Sequence, residues 1–592
     1  MTSTSARPQD LLPRTDTDAW WRDAVIYQIY PRSFADANGD GIGDIQGIRE
    51  HVDHLVALGV DAVWLSPFYP SPQVDAGYDV SDYFDLAPEY GSLQDLDALI
   101  ADLHEAGIRV IVDLVPNHSS DQHAWFRAAL EAGPGSPERD RYIFRHSDDG
   151  APNNWGSLFG GPAWQPVEPL TGRSEDRGWY YLHLFAAEQP DFNWSNADVH
   201  EHFRTFLRFW VERGIEGFRV DVAHGLVKAE GLPDDDLGPD RWNIAASPDE
   251  DTAHEKLPDV GPAFNQPGVH DIYREWRRVL DEVGEDILLV AEAWVPTEAD
   301  AAQYVRADEM SQAFNFPFLG AGWDADALRR VIDVSLSEYG AVGAPATWVL
   351  SNHDVVRHAS RLAYPADMDT DPGIGPKDPQ PDAELGLARA RAATLFMLGL
   401  PGSAYLYQGE ELGLPEHTTM EDEARQDPLW ERTNHLVPGR DGCRVPLPWT
   451  RDGASYGYNA TGRTWLPQPE GWGEYSPQAQ EGREDSTLTL YRRAIALRRE
   501  LRLGRGSVEW LDSDPGVLHL RNGITAIVLN TTEQPVTIKG AGRPLITSWR
   551  RSETDGSTAA NAVEAAGAVV VPPNGACWLD ASAGGTDGGD PR

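Results

Sequence analysis

Short apolar runs separated by stretches of helical periodicity constrain this chain more than any other feature. They cover residues 24–30, 61–66, 108–114, 217–222, 287–291, 348–350 and 403–407, with a weaker eighth at 313–318 between the fifth and sixth. Runs that are apolar on both faces suit parallel strands covered on both sides. The intervening stretches, 92–106 and 200–213 among them, carry apolar residues at helical spacing. Eight strands alternating with helices predict an α/β fold, a closed (β/α)8 barrel of the TIM type.

Two interruptions break the alternation. Between Leu114 and the helix near His200 lie roughly 80 residues rich in Gly, Pro, Trp and Asp, too many for a plain loop. They are expected to form a small inserted domain after strand 3, at 119–196. The second interruption, 363–384, is a Pro/Asp-rich loop after the seventh strand. Beyond the helix at 485–501 the chain turns to short strand-like runs at 516–521, 525–530 and 568–571, which predict a C-terminal antiparallel β domain over 506–582. The barrel is then divided into 20–118 and 197–505, with an N-terminal tail at 1–19 and a disordered tail at 583–592.

Charge narrows the range of partners. Of the 592 residues, 94 are acidic and 49 basic, so the net charge is −45. Such a chain repels nucleic acid phosphates and anionic membranes, while a neutral sugar is compatible with it. Cys443 and Cys577 are the only cysteines, which excludes a disulfide framework and a cysteine-rich metal site. The first residues lack an apolar signal core, and no stretch approaches the ~20 apolar residues of a membrane span. A cytoplasmic protein is expected.

Four motifs fall at the C-terminal ends of expected strands, where barrel enzymes place their chemistry. They are Asp113-Leu-Val-Pro-Asn-His118, Gly217-Phe-Arg-Val-Asp-Val222, Val290-Ala-Glu-Ala-Trp294 and Ser351-Asn-His-Asp354. Arg219 and Asp221, two apart on a strand, project to the same side. The guanidinium is expected to lower the pKa of Asp221 and keep it ionised, as a nucleophile requires. A structural Arg–Asp pair explains the same spacing. Glu292 lies between alanines and before Trp294, where desolvation would raise its pKa in the direction a general acid needs. Two such carboxylates make a glycosidase plausible, and retention requires them about 5–5.5 Å apart. Asp354 would add a third acid near a developing oxocarbenium cation.

Taken together, these motifs resemble the conserved regions of the α-amylase family, glycoside hydrolase family 13. The resemblance runs from Tyr27-Gln-Ile-Tyr-Pro31 to Gly439-Arg-Asp-Gly-Cys-Arg444. It implies Asp221 as nucleophile, Glu292 as acid/base and Asp354 as transition-state stabiliser, with Arg219, His118 and His353 holding the sugar or orienting the carboxylates. Gln189-Pro-Asp-Phe-Asn-Trp194 is similar to the oligo-1,6-glucosidase and α-glucosidase branch, with Phe192 where Leu is usual. In Asp75-Ala-Gly-Tyr-Asp79 the branch pattern implies that Asp75 pairs with Arg357 across the pocket and grips a terminal glucose. Tyr78 would stack beneath that ring, and Phe185 and Gln189 would line the same subsite. A pocket closed in this way implies exo action.

Asp36-Ala-Asn-Gly-Asp-Gly-Ile-Gly-Asp44 places oxygen ligands at alternate positions, as a hard cation needs, but Gly47 at the twelfth position rules out an EF-hand. The resemblance implies a structural divalent cation, calcium or magnesium, held by Asp36, Asn38, Asp40, Asp44 and the Ile42 carbonyl. No organic cofactor is implied.

Val222, after the expected nucleophile, is typical of α-1,6 specificity in this branch. Ala223-His224 looks instead like maltose-cleaving actinobacterial α-glucosidases, so short α-1,4 oligosaccharides are favoured and α-1,6 substrates stay open. Transfer to an acceptor sugar is open to any retaining enzyme. The rival readings are a disaccharide isomerase or trehalose synthase on the same scaffold, a non-catalytic scaffold relative, and an inverting glycosidase. The oligomeric state is left open.

Overall fold

Side-chain alternation along the short runs decides what faces the barrel axis. The strands are β1 (Val25–Ile29), β2 (Ala62–Leu65), β3 (Arg109–Leu114), β4 (Gly217–Val220), β5 (Leu288–Ala291), β6 (Gln312–Ala313), β7 (Thr347–Val349) and β8 (Ser403–Tyr407). Ile26, Ala62, Trp64, Ile111, Leu288, Val290, Val349 and Tyr405 pack together in the barrel interior. Their neighbours Val25, Tyr27, Val63, Leu65, Val110, Val112, Phe218, Val220 and Leu289 belong to the larger core beneath the helices. Both faces are apolar, so alternation in hydropathy is absent although alternation in direction is strict.

These strands pair in parallel in the order β7-β8-β1-β2-β3-β4-β5-β6. Interior packing is tight enough to specify single residues. A Cβ on Gly217 would lie 2.9 Å from Leu288 Cβ and 3.1 Å from Ile111 Cγ1, so β4 can start there only with glycine. The helix Leu93–Glu105 shows how an outer layer forms. Ser92 and Asp95 close a capping box at its start, and Leu96, Leu99, Ile100 and Leu103 make its buried stripe.

The computed structural model of the protein describes residues 19–237, 260–284, 286–365, 373–540, 542–549 and 568–581, together with Met368 and Thr370. The expected tails, 1–19 apart from its last residue and 583–592, lie outside the described residues. The weak eighth run needs correction: only Gln312–Ala313 is strand, and Phe316–Gly320 is helix, started by the Asn315 side chain accepting from Phe318 N. Its aromatics still fill the barrel, since Phe314 and Phe316 join the interior cluster.

Between β3 and the helix Ala197–Glu212, the strands Phe144–His146, Trp164–Pro166 and Trp179–Leu182 form a small antiparallel sheet. The C-terminal part carries a five-stranded antiparallel sheet containing Val517–Asn522, Thr525–Asn530 and Gly575–Asp580. Trp578 anchors it to the barrel by donating from Nε1 to Leu395 O on the helix Ala383–Leu398 (3.0 Å). Among the described residues no helix is long and apolar enough to cross a membrane.

Candidate active site

Parity along the strands brings the expected residues to one place. Asp113 follows Ile111, Asp221 follows Arg219, and Glu292 follows Val290, so all four charged side chains face the barrel interior at the C-terminal ends of β3, β4 and β5. Arg219 sits between the acids. Its Nη1 donates to Asp113 Oδ1 (2.7 Å) and Asp221 Oδ1 (2.5 Å), and its Nη2 lies 2.9 Å from Glu292 Oε2.

Backbone pairing sets this arrangement. Gly217 pairs with Leu288 and Val220 with Ala291, so Asp221 and Glu292 occupy the next rung on adjacent strands. Glu292 N still donates to Val220 O (3.0 Å) and Asp221 N to Leu114 O (2.9 Å), extending the ladder beyond the strand ends. Adjacent strands lie about 4.7–4.9 Å apart, which brings the two acids near each other. The chain then turns sharply. Val222 adopts φ +45°, a strained conformation for a β-branched residue, and its N–H donates to Glu292 Oε2 (2.9 Å). Trp294 Nε1 donates to the other oxygen, Oε1 (3.2 Å).

Electrostatics here departs from expectation. Burial, reinforced by the charges of Glu292 and Asp113, pushes the Asp221 carboxyl well above the usual range despite the pull of Arg219. Three carboxylates share one guanidinium, and its single charge cannot satisfy them all. Asp354 behaves oppositely. Burial opposes its ionisation, but His353 and the guanidinium groups of Arg440 and Arg444 outweigh it and hold the carboxyl well below the usual range.

Arg440 Nη2 donates to Asp75 Oδ1 (2.9 Å) and Nη1 to Asp354 Oδ1 (3.1 Å). Arg444 Nη2 adds a contact to Asp354 Oδ1 (2.9 Å). Asp427 steadies Arg440, accepting from its Nε (2.6 Å) and backbone N (2.8 Å). Gln189 Nε2 donates to Asp75 Oδ2 (3.2 Å) and lies 3.1 Å from His118 Nε2. The Phe185 ring sits 4.9 Å from the His118 ring, and burial lowers the His118 pKa to about 4. Tyr78 lies parallel to His353 at 5.3 Å, with its hydroxyl 2.6 Å from His353 Nε2.

This constellation can be compared with known proteins. The family model described as "Alpha amylase, catalytic domain" matches residues 28–505. This chain belongs to the α-amylase family. As a member it is a glycoside hydrolase. It is 38% identical over 514 residues to a probable alpha-glucosidase of Rhizobium meliloti, covering 84% of this chain and 86% of that protein. It is 34% identical over 516 residues to an oligo-1,6-glucosidase of Parageobacillus thermoglucosidasius, covering 81% and 84% of the two chains. Among solved structures, trehalulose synthase MutB from Pseudomonas mesoacidophila MX-45 superposes with a TM-score of 0.79 at 30% identity, over 95% of this chain and 99% of that one.

Within this α-amylase-family site one expected pairing is corrected. Arg357 does not meet Asp75. Its side chain is buried, with Nη1 donating to Gln408 O and Nη2 to Cys443 O, both at 2.8 Å. Its guanidinium therefore ties barrel-end loops together, and Arg440 holds Asp75 instead. Sequence reasoning missed Arg440 and Arg444 as site residues. Their spacing of four around a single 3-10 turn, Asp441–Cys443, is the signal that puts both guanidinium groups on Asp354. Asp113 was likewise visible only as part of a motif, and its rung-mate on β4 is Arg219.

At the expected cation loop, Asp36 and Asp44 are buried near each other, and the Asp36 charge adds to burial in raising the Asp44 pKa. The all-oxygen donor set suits a hard cation. Its oxygens also accept from the loop backbone: Asp36 from Gly39 and Gly41, Asn38 from Asp40, Asp40 from Ile42, and Asp44 from Asn38. Among the described residues no group of three or more acidic, His or Cys side chains converges as metal ligands.

Proposed function

We propose that this α-amylase-family chain is an exo-acting retaining α-glucosidase that releases terminal α-glucose from short oligosaccharides. The observation that carries the reading is the single rung shared by Asp221 and Glu292, with Arg219 between them. Two acids held against one guanidinium suit a two-step displacement. The first step needs the proton shared by these acids to sit on Glu292 and Asp221 to be ionised against Arg219, opposite to the distribution that burial favours. Asp221 then attacks the anomeric carbon as Glu292 protonates the departing glycosidic oxygen. Glu292 then deprotonates a water, which attacks the glycosyl-enzyme and frees Asp221. Asp354, held ionised, faces the positive charge that develops in both steps.

Exo action is supported by the Asp75–Arg440–Asp354 chain of ion pairs beside the apolar cluster of Phe159, Ala186 and Leu429. Short α-1,4 glucosides are the favoured substrates, with α-1,6 linkages and transfer to acceptor sugars also within reach of the chemistry. The loop from Asp36 to Asp44 is assigned to a structural divalent cation, calcium before magnesium, on its oxygen donors. Two unpaired buried cysteines, Cys443 and Cys577, suit a reducing cytoplasm.

The structural likeness to trehalulose synthase supports a second reading, a disaccharide isomerase with the same three acids. Purified protein offered maltose, isomaltose, trehalose and sucrose separates the two, with products followed by NMR. Free α-glucose as the first product supports the proposal. A rearranged disaccharide as the main product, or β-glucose appearing first, would refute it.

A further inference from the structure

Gln28 is the inward-facing residue of β1 that follows Ile26 in the barrel interior, and it is buried. Its Nε2 lies 3.0 Å from Ser66 Oγ and 2.7 Å from His353 Nδ1. Resting on the glycosidase reading above, we propose that Gln28 is a positioning residue whose amide N–H selects the Nε2-protonated tautomer of His353 and so aims that proton at Tyr78 and Asp354.

The Gln28 amide nitrogen sets the polarity of this contact. It donates and cannot accept, so Nδ1 opposite it must offer a lone pair, and a neutral imidazole then carries its proton on Nε2. Burial keeps the ring neutral, with its pKa lowered to about 3. Nε2 lies 2.6 Å from Tyr78 Oη and 3.1 Å from Asp354 Oδ2, both of which can accept. The Tyr78 hydroxyl can in turn donate to Asp113 Oδ2 at 3.3 Å. All donors in this chain therefore point from Gln28 toward carboxylates.

Two further observations fix the direction. In this orientation both Gln28 N–H groups have acceptors, and only Oε1 is buried without a partner. Turning the amide over would leave two buried N–H donors orphaned, which proteins tolerate less than one unused acceptor. The imidazole itself is clamped between Tyr78 at 5.3 Å (4° interplanar) and Tyr30 at 5.9 Å (18°). With the ring held, its tautomer is the remaining freedom, and Gln28 removes it. The opposite tautomer would set an Nε2 lone pair against the Asp354 carboxylate that the proposed mechanism needs.

Two substitutions at Gln28 test this. Gln28→Glu keeps the shape but replaces the donor by an acceptor, which draws the imidazole proton to Nδ1. Gln28→Met removes hydrogen bonding without imposing either tautomer. If Gln28 were only packing, kcat per folded molecule would be alike in the two variants, since the desolvation cost of a buried Glu would appear as lost stability in thermal unfolding. We expect instead that kcat of Gln28→Glu on maltose falls about tenfold or more below that of Gln28→Met, with KM moving far less. In a His353→Asn background, Gln28→Met should cost little further, because the residue it acts through is gone. Equal or milder effects for Glu, or full additivity with His353→Asn, would overturn the proposal.

The tautomer can also be read without turnover, which separates failure here from failure of the glycosidase reading. Protein labelled with 15N in its imidazoles, with the His353 signal assigned by its loss in His353→Asn, should show the proton on Nε2. A proton on Nδ1 in the unsubstituted protein would overturn the assignment, whatever sugar the enzyme acts on.

Discussion

Asp221 and Glu292 stand on one rung of adjacent parallel strands, a register step beyond the Val220–Ala291 pair, and both contact the guanidinium of Arg219. Backbone hydrogen bonding thus puts the two acids on neighbouring strands, and their shared contact with Arg219 brings the carboxyl groups together. If Asp221 is the nucleophile, Asp221→Asn removes the attacking oxygen while keeping a group that can accept from Arg219. Turnover of the preferred glucoside should fall by about 10,000-fold or more, and the melting temperature should change little. Steady-state rates alongside thermal unfolding check this; substantial residual activity would remove Asp221 from the role.

Arg440 and Arg357 should separate cleanly. Arg440→Lys keeps a charge but cannot span Asp75, Asp354 and Asp427 together, so KM should rise and kcat/KM should drop by about 100-fold. Arg357→Lys breaks its contacts to the Gln408 and Cys443 carbonyls, which should lower stability by about 1–3 kcal/mol. KM should stay within about twofold of the unsubstituted value, because only catalytic-site contacts are expected to affect substrate affinity. Parallel kinetics and denaturant unfolding of both variants decide it. A Michaelis defect confined to Arg357→Lys would restore the pairing expected from sequence.

Glu410 makes stability depend on pH. Burial, with the charge of Glu411 adding to it, raises its pKa from 4.5 to about 8. The folded state therefore holds this proton more tightly than the unfolded state. The resulting contribution is fully present below pH 4.5 and is lost as the pH rises to about 8, on the order of a few kcal/mol. Glu410→Gln should flatten this part of the stability profile and gain on the unsubstituted protein toward pH 8. Chemical denaturation across the pH series measures it, and identical slopes would show that Glu410 ionises without cost in the fold.

The Asp36–Asp44 loop should reveal a bound cation through linkage. Chelator-treated protein should gain about 2.7 kcal/mol of stability in calcium at a hundred times its dissociation constant, and magnesium should act more weakly. Asp40→Ala should abolish the gain, since Asp40 is exposed and has no core role to lose. Thermal shifts with and without each metal test this. An unchanged response in Asp40→Ala would place the metal elsewhere.

The barrel strands were legible because each is a short run with apolar residues on both faces, a pattern that few structures other than a covered parallel sheet can use. The sixth was blurred because β6 is only two residues long and Phe314 and Phe316 fill the interior from a turn and a helix. Motif order placed Asp221, Glu292 and Asp354 at the barrel mouth, whereas the inward direction of Asp113 and Gln28 emerged from the strand register in the structure.

Choice between chemically equal partners was not legible. Arg357 and Arg440 are both arginines in loops at the same end of the barrel, and nothing local to either says which reaches Asp75. The direction of the Asp221 shift was hidden for the same reason. Arg219 is its sequence neighbour on the strand, whereas the opposing charges of Asp113 and Glu292 arrive from other strands. By itself the sequence determined the strand periodicity and the shared direction of Arg219 and Asp221, since these depend on neighbours a few residues apart, while the roles expected of the acids came from the resemblance of whole motifs. Tertiary structure decided which cation meets which carboxylate and which proton stays bound. Coulomb and desolvation energies depend on distance in space, and residues far apart along the chain are brought into contact only by closing the barrel.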